Sequence, residues 1–190
     1  NFTNGAKFFD EYVSRDFKKQ QLMLAYGHLN FAFVLGWFGE TDSTIGALIR
    51  GLDICRESLA PQRIAEFLET LIATYHQLGK YDMAKAYTDE HLAICNLIDD
   101  SRRLGMAKYL GGITEWKQRN LLTAQRYLES SLVIWRQLGD KQMIGLSLDA
   151  LGEILRIRGE LPRSLDCHKE ALRLRTELGD RVGIATCRYN

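Results

Sequence analysis

Four histidines, four cysteines and two closely spaced pairs of carboxylates are the side chains in this 190-residue sequence whose types and spacing could do chemistry. Cys55, Cys95, Cys167 and Cys187 stand too far apart for a thiol redox pair or a zinc knuckle, both of which use closely spaced ligands. They are expected to be small buried hydrophobes. A metal-binding role for His91 would need another histidine or an acidic pair at ligand spacing, and neither is present. His91 is instead expected to be a partly exposed imidazole that wedges two helices apart. No nucleophile elbow, phosphate-cradling glycine loop or His-Glu metal pair occurs, so no catalytic residue, metal or cofactor is expected. The carboxylates suggest recognition. Glu66 and Glu69 lie three residues apart and Asp149 and Glu153 four apart, intervals that keep both members on one face of a helix. A basic segment of a partner would be attracted to both pairs, and salt would weaken that attraction.

The elements that hold these residues follow from composition and periodicity. Lys and Arg number 25 against 24 for Asp and Glu, and the two signs alternate along the chain. Nucleic-acid binding needs a basic stripe, so no nucleic-acid partner is expected. No apolar run approaches the roughly 18 residues that span a bilayer, and no segment reads as a secretory signal. A cytoplasmic location and no membrane contact are the expectations. Two prolines leave long helices uninterrupted, and sixteen glycines leave room for tight turns and close helix contacts.

The sequence repeats itself every forty residues. Gln137-Leu138-Gly139-Asp140 returns as Glu177-Leu178-Gly179-Asp180, and Ile98-Asp99-Asp100 stands one period earlier. A second series of turns has the same interval: Phe38-Gly39-Glu40, Leu78-Gly79-Lys80, Arg119-Asn120 and Arg158-Gly159-Glu160. Between turns the apolar residues recur at three and four, as in Leu121, Ala124, Leu128, Leu132, Trp135 and Leu138. Each unit is therefore a hairpin of two helices, each about seventeen residues and roughly 25 Å long. Gly139 and Gly179 suit helix ends, Asp140 and Asp180 suit helix starts, and Pro61 and Pro162 suit first turns. Small residues recur where helices must meet: Ala84, Ala124 and Ser164 in one column, Gly51, Ser131 and Ala171 in another. Leu52, Leu92, Leu132 and Leu172 follow the second column. His91 interrupts it, and His28 and His168 fall at other core positions, where satisfied core histidines are expected.

Through Leu151-Gly152, Gly159-Glu160, Ser164 and Ala171-Leu172 the chain resembles the tetratricopeptide repeat family. The forty-residue period and the stretch Leu172 to Asp180 are similar to the sub-type found in bacterial signal-responsive ATPase and transcription regulators and in polarity scaffolds. The resemblance implies an all-α, right-handed α-solenoid of antiparallel helix hairpins, and a cytoplasmic module that binds protein or peptide. Self-association and small-ligand sensing are the alternatives. Repeats are placed at 21–58, 61–98, 101–138 and 141–178, with partial repeats at 1–20 and 181–190 in a fragment of a longer array. Residues 3–16, with Phe9, Tyr12 and Val13, would be the second helix of an earlier hairpin. In the third repeat Lys108, Gly111 and Glu115 stand where the second has Leu68, Leu71 and Tyr75. A frame slid by one residue, or a bulge, would put Leu110, Ile113 and Trp116 inside.

In this family the first helix of each pair lines a concave groove. The groove wall would carry Tyr26, Leu29, Phe33 and Trp37 from the first repeat, then Glu66, Glu69, Ala73 and His76 from the second. Tyr109 and Trp116 would come from the third, and Leu146, Asp149, Glu153 and Arg156 from the fourth. Such a wall suits a peptide with apolar anchors beside Lys or Arg.

Overall fold

The computed structural model describes residues 2–37, 39–180 and 183, with side chains from Phe17 onward. The expected partial repeat at 181–190, with Cys187, lies outside the described residues except for Gly183. So do Phe38 and the side chains of Phe9, Tyr12 and Val13. Among the described residues there are eight helices and no strand: α1 (Phe2–Trp37), α2 (Thr41–Glu57), α3 (Pro61–Gln77), α4 (Tyr81–Leu97), α5 (Ser101–Lys117), α6 (Leu121–Leu138), α7 (Lys141–Ile157) and α8 (Leu161–Leu178). From α4 onward every helix begins forty residues after its counterpart in the preceding hairpin. The chain forms two compact units, residues 1–74 and 75–190.

In the first unit α1 packs along α2 and runs unbroken for 36 residues. The earlier partial helix and the first helix of the 21–58 repeat are thus one element, with no turn near residue 20. Gly51 is the crossing point of this unit. A Cβ there would stand 2.3 Å from the Phe67 ring and 3.3 Å from the His28 Cβ, so only glycine lets the three helices meet. Ala25, Ala32, Leu48, Leu52 and Phe67 fill the surrounding core.

The second unit holds the larger core, with Leu128, Leu132 and Trp135 of α6 against Leu148, Leu151, Ile154 and Leu155 of α7. Ala84, Ala124, Ser131, Ser164 and Ala171 are buried at the helix crossings. The Ser131 and Ser164 hydroxyls donate across the hairpins to the carbonyls of Gly105 (2.9 Å) and Gly152 (2.8 Å), so both buried serines have partners. Leu172 is only half-buried, unlike Leu132. The caps follow the turn chemistry: Asp100, Asp140 and Asp180 accept from the amides of Arg103, Met143 and Gly183 at 2.9–3.1 Å.

The third repeat keeps the common register. α5 begins forty residues after α3, so neither a bulge nor a slid frame occurs. Gly111 and Glu115 are buried in the places of Leu71 and Tyr75; of the residues a slid frame would put inside, Leu110 is buried too, whereas Ile113 and Trp116 are half-buried. Glu115, 5% exposed, is tolerated because Lys85 Nζ lies 2.8 Å from its carboxylate and Asn120 Nδ2 donates to it at 2.8 Å. Burial opposes the Lys85 charge, but its bonds to Asp89 and Glu115 outweigh that and raise its pKa. Gly112 supplies the close approach: a Cβ there would meet Leu128 Cγ at 2.6 Å.

Arg119 occupies the turn position of Gly39, Gly79 and Gly159 and shares their left-handed backbone, with φ of 68°. For a residue with a Cβ that conformation costs about 1 kcal/mol. Arg119→Gly should therefore raise stability by about 1 kcal/mol in urea unfolding.

His91 departs from expectation. It is fully buried, and neither ring nitrogen has a hydrogen-bond partner. Burial, and then the nearby Arg103 charge, lowers its pKa to about 4. The unfolded chain takes up a proton near pH 6.5 while the folded chain keeps a neutral ring. The associated stability is complete above that pH and is lost as pH falls toward 4, by about 3 kcal/mol in all. In His91→Ser the fall in stability between pH 7 and 4, followed by denaturant titration, should be smaller by that amount.

Candidate functional site

The forty-residue register stacks the outward positions of the first helices into columns. In the second unit these are Met106 with Leu146, Tyr109 with Asp149, Ile113 with Glu153, and Trp116 with Arg156, on α5 and α7. His76 opens the unit at the end of α3. Its Nε2 lies 2.8 Å from Thr114 Oγ1, which lies 3.1 Å from Thr88 Oγ1. Both threonine hydroxyls reach carbonyls of their own helices, Leu110 and Ala84, so a proton on His76 Nε2 can be accepted by Thr114. Burial, and then Lys117, lowers the His76 pKa.

At the other end of the face, Asp149 and Glu153 differ from solvated carboxylates. The Asp149 side chain is 13% exposed and pairs with the guanidinium of Arg175 on α8. Glu153, 17% exposed, pairs with Arg156 at 2.7 Å. His168 of α8 sits between them, with Nδ1 3.6 Å from Asp149 and Nε2 3.6 Å from Glu153. These are ionic distances, beyond hydrogen-bond reach, so the expected satisfied core histidine is buried without such a bond. Gly152 admits the ring, since a Cβ there would lie 2.7 Å from His168 Cε1 and Nε2. Tyr109 is close enough to feel this cluster: burial, and then Asp149, raises its pKa, with Arg175 opposing. Lys117 Nζ lies 4.9 Å over the half-buried Trp116 ring.

The first unit holds the remaining expected residues. Tyr26 and Leu29 are half-buried, and the Arg63 guanidinium lies 4.6 Å from the Tyr26 ring centroid. Arg63 also pairs with Glu66 at 2.8 Å, so Tyr26, Arg63 and Glu66 form one cluster. Glu69 is half-buried, whereas Phe33 and Trp37 are exposed. Both acidic pairs thus have intramolecular partners that spacing alone did not supply. Arg175 was detectable, because it stands in the column of Cys55, Cys95 and Trp135, where a charge is out of place. Thr114 and Arg63 carry no such signal.

Cys55 and Cys95 are buried and Cys167 is half-buried. Burial, and then Glu66, raises the Cys55 pKa to about 11, and burial raises that of Cys167, the opposite of what a reactive thiol needs. Among the described residues no His, Cys, Asp and Glu side chains group to hold a metal ion, and no helix is long and apolar enough to cross a membrane.

A tetratricopeptide repeat model matches residues 106–177. No curated protein matches the sequence. Among solved structures, BtubC (BKLC) from P. vanneervenii is similar with a TM-score of 0.75 and 18% identity, covering 93% of this chain and 76% of that one. A Rap protein complexed with Competence and Sporulation Factor has a TM-score of 0.78 at 14% identity, over 88% of this chain and 47% of that one. A signal transduction ATPase with a tetratricopeptide repeat sensor from Pyrococcus horikoshii has a TM-score of 0.68 at 19% identity, over 92% and 28%. The chain spans less than half of the last two. At these identities the likeness establishes the fold.

The ion pair at Asp149 gives a direct test. Arg175→Ala leaves a largely buried carboxylate without its guanidinium and should cost about 3 kcal/mol. Arg175→Met combined with Asp149→Leu should recover most of that loss, as read by thermal and urea unfolding.

Proposed function

We propose that this tetratricopeptide-repeat chain is the interaction segment of a larger signalling or transcription regulator, and that it binds a protein or peptide along its first-helix faces. The observation that carries the reading is the column pattern on α5 and α7. Tyr109, Ile113 and Trp116 are half-buried apolar surfaces beside polar groups, as a peptide anchor site requires. The Rap neighbour was solved in complex with a factor, and the Pyrococcus neighbour carries its repeats as a sensor, which supports the reading as precedent. The raised Cys55 and Cys167 pKa values favour binding over thiol chemistry.

The partner's chemistry can be narrowed. Asp149 is committed to the buried Arg175, but Glu153 is held by an Arg156 side chain that is itself 53% exposed. An exposed pair of this kind is worth about 0–1 kcal/mol, so a partner's Lys or Arg can replace Arg156 at little cost. Glu153 is therefore the acidic contact, and Asp149 supports the fold beneath it. The partner segment is one basic residue flanked by an apolar or aromatic anchor that lies on Tyr109 and Trp116.

The test is selection of random twelve-residue peptides on the chain. Enriched peptides should carry Lys or Arg beside an apolar residue. Glu153→Lys should weaken their binding about tenfold and flatten its salt dependence, and Trp116→Ala should weaken it at all salt concentrations. Selected peptides indifferent to both substitutions would place the binding surface elsewhere.

A further inference from the structure

We propose that the outer face of α1 is a self-association surface, and that two copies of the chain pair through it in antiparallel fashion about Gly27. Within the first unit, α1 buries Ala25 and Ala32 against its neighbours and presents a second apolar face on the other side. Phe17, Met23, Leu24, Phe31 and Val34 are 52–66% exposed, and Trp37 is 93% exposed. Phe17, Leu24 and Phe31 recur every seven residues, the spacing that keeps a seam on one side of a helix facing another helix. The exposed parts of these six side chains amount to roughly 750 Å² per copy, close to the ~800 Å² that each partner contributes to a stable interface. A scatter of single exposed apolar residues would need no explanation, but a continuous patch of this size does.

A second helix of the same sequence fits this face. Gly27 lies in the middle of the stripe, and a Cβ added there would meet nothing within 4 Å, so the surface is notched at its centre. With a two-fold axis through Gly27, Met23 of one copy comes level with Phe31 of the other, a sulfur beside an aromatic ring. Phe17 comes level with Trp37. The arrangement is self-complementary, as an isologous contact must be. Charge sets the direction. Lys18 and Lys19 are exposed at one end of the stripe, and parallel pairing would set each against its own copy, whereas antiparallel pairing sends them to opposite ends. This surface is separate from the α5 and α7 face, so either assignment can fail without the other.

The experiment is sedimentation equilibrium of the chain between 1 and 100 µM, with circular dichroism as the folding control. The expected result is a concentration-dependent shift from 21.8 kDa toward twice that mass. Phe31→Glu and Val34→Lys should each raise the dimer dissociation constant at least tenfold with helicity unchanged. Val34→Lys keeps the test open if the bulkier change at Phe31 disturbs folding. Met23→Cys in one chain and Phe31→Cys in another should form a cross-linked pair on mixing under mild oxidation. A chain that stays monomeric to 100 µM, whatever other helix or surface its α1 face binds, overturns the proposal. A dimer that neither substitution weakens also overturns it.

Discussion

Two helices can share a core only if their backbones approach closely at the crossing, and the side chains allowed at that crossing constrain everything else in this chain. Gly51, Ser131 and Ala171 meet the constraint by being small. Where serine is used, its hydroxyl turns to the carbonyl of the opposite helix, so the close contact is also a hydrogen bond. His91 meets the constraint differently. An imidazole fits only by giving up water and all hydrogen bonds, which holds it neutral across the pH range in which an ordinary histidine takes a proton. The cost of burying the ring appears only in acid.

The same economy explains the charges inside the array. Glu115 and Arg175 occupy columns that are otherwise apolar or aromatic, and each is held by an opposite charge on a neighbouring helix. Lys85 ties α4 to α5, and Asp149 ties α7 to α8, so both pairs join elements that must stack. A buried pair gives little net stability over an apolar substitute, but it penalises a slipped register, since a shift of one residue would strand a charge. The third repeat, poorest in large apolar residues along α5, is also the one whose register is set in this way. Its left-handed turn is formed by Arg119, where the flanking repeats use glycine.

Beyond α1, whose expected break near residue 20 is absent, helix boundaries and turn types were legible because they rest on local rules: glycine in a left-handed turn, aspartate at a helix start, a forty-residue interval. The third repeat was harder to read, because apolar counting treats Glu115 as an outward residue and cannot see Lys85 thirty residues earlier. His91 was misjudged for a related reason: bulk at a crossing was expected to leave the ring partly exposed, whereas it is fully buried. The candidate face was legible as a set of columns but not as a set of charges. Spacing put Asp149 and Glu153 on one face, and only the fold shows that Arg175, His168 and Arg156 reach them.

That difference changes how the face can act. Free carboxylates would attract any basic segment from a distance, with strength and selectivity both set by salt. Carboxylates already neutralised within the chain attract weakly, so the recognition proposed for this face rests on short-range contact, in which an incoming cation replaces a loosely held one and an apolar anchor covers an aromatic ring. In that proposal Glu153 can exchange its cation because the Arg156 side chain is largely exposed, whereas Asp149 cannot, because Arg175 is buried beside Gly145 and lies 3.8 Å from the Asp180 carboxylate. One helix therefore carries, a single turn apart, a carboxylate available to the proposed recognition and a carboxylate committed to an ion pair within the fold. What separates them is the burial of the arginine that each one holds.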